Sequence, residues 1–299
     1  MPSSITHELI ATEAQKRLPA AMQSIVESAP AAYFLGAQGP DPFFFATAKG
    51  EGVNFGKFLH RNAVYELFSA FQRFLEALPA AERAVPLAYC LGYVTHYCAD
   101  VAFHPCVYRY MQQNKLRKRE HQRIENDWDV YFARKIAGKE AENYSFPAVV
   151  KLENDVKPLW KYASAELGRK IPHGAMRSAL TGFSKYLRFF HRKCYRSQRR
   201  WARFDKLFHI RALSCLYPSR SPDQAVLEGE RFEQAANMEG LPPVKTADDL
   251  FERAVSQSVY RMMLFYDHIG GMPLPREQFD RHLLTGQHIA GQKNDKGQI

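Results

Sequence analysis

Five residues in the middle of the chain have the types and spacing of metal ligands. His96, Asp100 and His104 follow one another at steps of four, and His121 and Glu125 repeat that step seventeen residues later. On a helix a step of four advances the side chain by about 400°, so the first three share an arc of roughly 80°. They spread over about 12 Å of axis, at about 1.5 Å per residue. His121 and Glu125 share one face of a second helix in the same way. Imidazole and carboxylate are ligands that zinc takes from helices. Two neighbouring helices that each turn such a set inward make a metal site inside a bundle. A single pair of histidine and acid four apart also occurs on ordinary helix surfaces.

The elements that must position these residues read as helices. Apolar residues recur at three and four over Phe58–Leu78, Leu87–Met111, Ile124–Ile136 and Leu250–Ile269, which is the helical period. Strand-like alternation bounded by Asn-Gly or Asp-Gly turns is missing. Breaks fall at Gly39-Pro40-Asp41-Pro42, Gly50–Gly56, Gly138–Phe146, Tyr217–Pro222 and Gly240–Pro243, where glycine and proline punctuate the pattern. The segment carrying His96 to His104 is apolar nearly all round, which predicts a buried helix. Burying Asp100 with two histidines is costly unless a cation compensates, and a metal meets that need. Pro105 follows His104 and is expected to kink or tighten the helix. The start is expected to be a helix with Ser4 or Thr6 as N-cap and Glu8 in its first turn. The prediction is an all-α fold, a multi-helix bundle around a buried metal cluster, with one domain over residues 1–285. Residues 286–299 read as a flexible polar tail.

Composition narrows the partners. The chain has 299 residues, 46% hydrophobic and 24% charged, ordinary for a globular protein with a substantial core. No apolar run reaches the roughly 18 residues of a membrane span. The start lacks a basic segment followed by an apolar one, so a cytoplasmic location is expected. Five cysteines, at 90, 98, 106, 194 and 215, are then expected to be reduced thiols. A net charge of +10 and a pI near 9.3 favour phosphate esters, a phospholipid surface or nucleic acid as partners.

Three residues upstream join the set. His7 lies in the first turn of the first helix, Asp41 in a Gly-Pro turn as an acidic tip, and His60 at the opening of the helix FLHRNAVYELF. Each alone has an ordinary reading: a histidine with satisfied nitrogens, or a turn aspartate. Their order and context are more specific. Through THELIA, GAQGPDPFFF, FLH, HYCADVAFHP and HQRIE, from Met1 to about Trp128, the chain resembles the zinc-dependent phospholipase C family. It is more distantly similar to the S1/P1-type nucleases of the same fold.

The resemblance implies a zinc-dependent phosphodiesterase with a cluster of three zinc ions, or two if the third finds no terminal ligand. One ion would take Asp41, His60, His96 and Asp100. A second would take His104, His121 and Glu125 and keep an open position. A third would take His7 and share Asp100 as a bridge. Secreted relatives complete that third site with an N-terminal tryptophan, which this chain lacks; the amine of Pro2, or of Met1, would stand in. Asp100 as bridge and Asp41 as ligand or base would be the catalytic residues, with a metal-bound hydroxide as nucleophile. Glu125 matches the phospholipases, whereas the nucleases carry Asp there.

Two basic segments complete the reading. Residues 185–206 hold nine Lys and Arg against one acid, Asp205, recurring at three and four as a helical stripe. It reads either as a solvated face or as a contact for lipid headgroups or nucleic acid. Lys115, Arg117, Lys118 and Arg119 lie just before His121, where they could draw an anionic phosphate toward the site. The six other histidines, His173, His191, His209, His268, His282 and His288, match no part of the motif and are expected in structural or surface roles. The readings that compete with a phospholipase are a single-strand nuclease or small-molecule phosphoesterase, and a non-catalytic zinc-stabilised interaction protein.

Overall fold

The computed structural model describes residues 4–46, 51–148, 150–171, 174–188, 200, 203, 207, 221–238 and 241–289. Its helices in chain order are α1 (Ser4–Gln15), α2 (Ala20–Ser28), α3 (Pro30–Ala37), α4 (Glu51–Arg61), α5 (Val64–Ala77) and α6 (Ala84–Gln113). They continue with α7 (Glu120–Lys135), α8 (Glu153–Glu166), α9 (Ala175–Tyr186), α10 (Glu230–Ala236), α11 (Ala247–Asp267) and α12 (Arg276–Phe279). No strand forms among the described residues; β pairing is limited to isolated bridges at Glu228–Thr246 and Arg281–His288. The fold is all-α, as the helical period predicts. No described helix is long and apolar enough to cross a membrane.

The bundle is built around α6. Its 30 residues make a rod of about 45 Å, and nearly every position from Pro86 to Val107 is buried. Pro105 leaves this helix continuous to Gln113. α3 crosses α6 at backbone contact through two glycines. A Cβ on Gly36 would lie 2.1 Å from the Tyr89 carbonyl oxygen, and one on Gly92 only 1.9 Å from that of Tyr33. The Tyr33 hydroxyl donates to the Ala11 carbonyl at 2.8 Å and ties α3 to α1. On another side the Trp160 indole donates to the Tyr89 hydroxyl at 2.9 Å, anchoring α8. α11 also packs against α6 and α1; it starts with a capping box between Thr246 and Asp249, which satisfies N–H groups at both positions.

Several local expectations are revised. The apolar period over Phe58–Leu78 is split: α4 ends at Arg61, Ala63 takes a left-handed conformation (φ 54°), and α5 starts at Val64. His60 therefore closes α4 and does not open a helix. The Leu283 N–H donates to the His60 carbonyl at 3.1 Å, satisfying an acceptor that a helix end leaves open. At the amino end, Thr6 lies inside α1 and is not its cap. Asp129 of α7 serves that end instead, accepting from Ile5 N–H at 3.2 Å, Thr6 N–H at 2.7 Å and the Thr6 hydroxyl at 2.8 Å. A carboxylate suits the positive end of a helix. Residues 286–289, expected in the tail, are held in place: Gly286 N–H donates to His282 and Ile289 N–H to Asp280, both at 2.8 Å. Residues 290–299 lie outside the described residues. Cys90, Cys98 and Cys106 are buried free thiols.

Candidate metal centre

The eight predicted ligands come from five places in the fold, and four of them, His7, His60, His96 and His104, face Asp100. α6 supplies His96, Asp100 and His104 along one face. α7 supplies His121 and Glu125, α1 supplies His7, and α4 supplies His60. Asp41 opens a 3-10 turn, Asp41–Phe45, directly after the Gly39-Pro40 corner. It is no exposed turn tip, being 1% accessible.

Asp100 faces both ways. Its Oδ1 lies 3.3 Å from His7 Nε2. Its Oδ2 lies 3.3 Å from His96 Nε2, 3.7 Å from His60 Nε2 and 3.4 Å from His104 Nδ1. Asp41 Oδ1 lies 3.0 Å from His60 Nε2, and Asp41 Oδ2 is 3.9 Å from His96 Nδ1. Glu125 Oε1 lies 2.8 Å from His121 Nε2 and 3.3 Å from His104 Nε2. The ligating atoms form three groups within 4.8 Å, namely His7/His96/Asp100, Asp41/His60/His96 and His104/His121/Glu125. His96 belongs to two of them, and its two nitrogens face different carboxylates.

Backbone groups fix which nitrogen each ring presents. His60 Nδ1–H donates to the Gly56 carbonyl at 2.7 Å, and His104 Nδ1–H donates to the Leu283 carbonyl at 3.0 Å. A carbonyl accepts and never donates, so both rings carry their proton on Nδ1 and offer Nε2. Gly39 makes room for the third ring. At φ +51° it lets the backbone pass so close that a Cβ would lie 2.2 Å from His96 Cδ2. His7 stacks on His96 with ring centroids 4.5 Å apart.

Electrostatics favour a cation here. Burial pushes the Asp100 carboxyl up, but His104 and His96 outweigh it and hold it well below the usual range. Burial pushes His104 down, yet the Asp100 and Glu125 carboxylates lift it to about 9. Burial lowers His96 and His121. His7 Nδ1, both His96 nitrogens, Asp41 Oδ2 and Asp100 Oδ2 are buried without a hydrogen-bond partner. Buried polar atoms are nearly always partnered. This concentration of orphaned nitrogen and carboxylate donors fits zinc, which binds both.

A model of zinc dependent phospholipase C matches residues 6–170. The chain belongs to the zinc-dependent phospholipase C family. No curated protein and no solved structure matches it. The family match runs past Trp128, where the recognisable motifs end, and takes in α8.

Several groups at the site escape that family region or carry no motif. Leu283 acts through its carbonyl, which leaves no trace in sequence. Tyr108 does leave one, since it continues the step of four from His104. Its ring lies 5.0 Å from that of His121 and 6.1 Å from that of His104. His282, expected in a structural or surface role, stands near the cluster: burial lowers its pKa to about 4, and the charges of Arg61, His60 and His104 act in the same direction. Lys115, Arg117 and Lys118 are exposed and Arg119 is half-buried, in the turn leading into α7. Pro2 and most of the 185–206 stripe lie outside the described residues.

Proposed function

We propose that this member of the family hydrolyses phosphodiesters, with the headgroup bond of a phospholipid as its substrate. The observation that supports this reading most is that three adjacent ligand groups gather around α6, with one imidazole, His7, facing Asp100 Oδ1 and three, His60, His96 and His104, facing its Oδ2. A structural zinc site needs one closed set of four ligands, whereas this chain gathers three carboxylates and five imidazoles. Zinc bound there supplies Lewis acidity for a phosphoryl oxygen and brings the pKa of a bound water toward 7.

The chain's own groups would then divide the work. Asp100, His7, His60 and His96 would hold the metals. Asp41 Oδ2, which has no hydrogen-bond donor, would orient the attacking water and accept its proton. His104, His121 and Glu125 would serve the leaving-oxygen side; the His121 side chain is the most open of the eight ligands, at 12%. Arg61 makes no hydrogen bond or ion pair among the described residues. Its charge acts on Tyr108 and His282, which places a cation beside the cluster for a phosphate oxygen.

Zinc-loaded protein tested on phosphatidylcholine and on single-stranded DNA separates the lipid reading from the nuclease one. Release of the phosphorylated headgroup supports the proposal. Cleavage of the DNA alone replaces it with a nuclease, and inertness toward both substrates refutes it.

A further inference from the structure

A second cavity lies on the other side of α6. It has a volume of about 380 Å³ and runs between α6, α11, Met238 and residues 241–244. Tyr97, Val101, Leu241 and Val244 give it apolar walls, and Arg253, Arg261 and Arg281 reach into them. That size and lining are those of a small-molecule site.

The charges in this cavity do not balance. Two acids border it; both hydrogen-bond to groups outside it, and the Asp249 charge also acts on Arg253. Asp249 accepts from the Lys245 and Thr246 N–H groups at 2.9 Å each. Glu252 pairs with Arg17. Arg261 is held by the Gln278 carbonyl at 2.7 Å and lies over the Tyr97 ring. Arg281 Nη1 donates to the Gly286 carbonyl at 2.8 Å. Arg253 has one donor used, on the Pro242 carbonyl, while its Nη1 is buried with no partner. A guanidinium stays charged at any physiological pH, and a buried charged donor without an acceptor is unfavourable. An anion with apolar surface of its own would meet both the free donor and the apolar walls.

We propose that this cavity binds an anionic amphiphile, whose acidic head sits on Arg253 and Arg281 and whose alkyl chain lies along Tyr97, Val101 and Leu241. This site is separate from the metal cluster and does not depend on the reaction performed there. Arg253 Nη1 gains its acceptor, and the chain covers the apolar wall.

Calorimetric titration of the zinc-loaded protein with decanoate, below its aggregation threshold, tests this. One saturable site per chain is expected. Decyltrimethylammonium, with the same chain and opposite charge, and acetate, with the charge and no chain, should each bind at least tenfold more weakly. Arg253→Gln, which keeps a donor for Pro242, should weaken decanoate at least tenfold without changing zinc content. Leu241→Asp adds a repelling charge at a position 39% exposed, where the fold tolerates it, and should weaken decanoate comparably. Absence of binding to the wild type overturns the proposal, as does equal binding of the cationic amphiphile. Decanoate captured by zinc would bind both variants as tightly as wild type, and that result also overturns it.

Discussion

Replacing Gly39 by alanine should damage the metal centre through one carbon atom. Two costs can be separated. The backbone at Gly39 has φ +51°, and a Cβ in that conformation costs about 1–2 kcal/mol. The new Cβ would also lie 2.2 Å from His96 Cδ2, 2.3 Å from Cγ and 2.6 Å from Nε2, where ordinary contact begins at 3.4 Å. The imidazole must therefore retreat by about 1 Å from where Asp41 and Asp100 now face it. Disturbing the support of a metal-bound histidine typically costs about 10–100-fold in metal affinity or activity. Gly138→Ala supplies the control. It has φ +62° and nothing within 4 Å of its added Cβ, so it carries the backbone cost alone. Zinc competition against a chelator, read beside thermal unfolding, should show similar backbone destabilisation in both and a loss of zinc affinity in Gly39→Ala alone. If Gly39→Ala holds zinc as tightly as Gly138→Ala, His96 is not a ligand whose position matters.

Other substitutions and pH test the amino-terminal helix, the ligand set and the substrate side in turn. Asp129→Ala leaves the Ile5 and Thr6 donors buried and unpaired and should cost roughly 3–5 kcal/mol, measured by denaturant unfolding of metal-free protein. The pH dependence follows from His104, whose pKa rises from 6.5 to about 9 in the metal-free fold. Its protonated form stabilises that fold fully below pH 6.5, and the stabilisation is lost as pH rises through 9. Zinc must displace this proton, so zinc affinity should climb over the same window and level off above it; a flat profile between pH 6.5 and 9 would remove His104 from the ligand set. Arg61→Gln should lower kcat/KM for a phosphodiester by roughly 10–100-fold, the worth of a charge-assisted hydrogen bond. It should leave zinc content unchanged, and unaltered kinetics would place Arg61 away from the substrate.

What was readable in the sequence is what side-chain identity and helical period carry. The step of four marked His96, Asp100, His104, His121 and Glu125, and a nearly all-apolar surround marked α6 as buried. The all-α class followed from the same period. The period could not show that Phe58–Leu78 is two helices, because Ala63 carries no signal for a left-handed conformation. The break depends on Leu283, which takes the His60 carbonyl from more than two hundred residues away. Asp129 was missed as a cap for a similar reason: the helix it caps lies on another element, and capping rules read only local neighbours. Leu283 and Gly56 act through backbone carbonyls, which any residue would supply. Gly39 was visible as a turn, but the imidazole that makes its missing Cβ necessary arrives from α6.

In the proposed reaction one cluster, joined at Asp100, holds the zinc and carries the chemistry. Zinc content and phosphodiester hydrolysis, measured on the same preparations of wild type and Asp100→Ala, test it most directly. The substitution should release zinc from the His7 and His96 side and remove nearly all hydrolysis, while the helical fold persists by circular dichroism. An Asp100→Ala protein that keeps its full zinc content and its activity would contradict it.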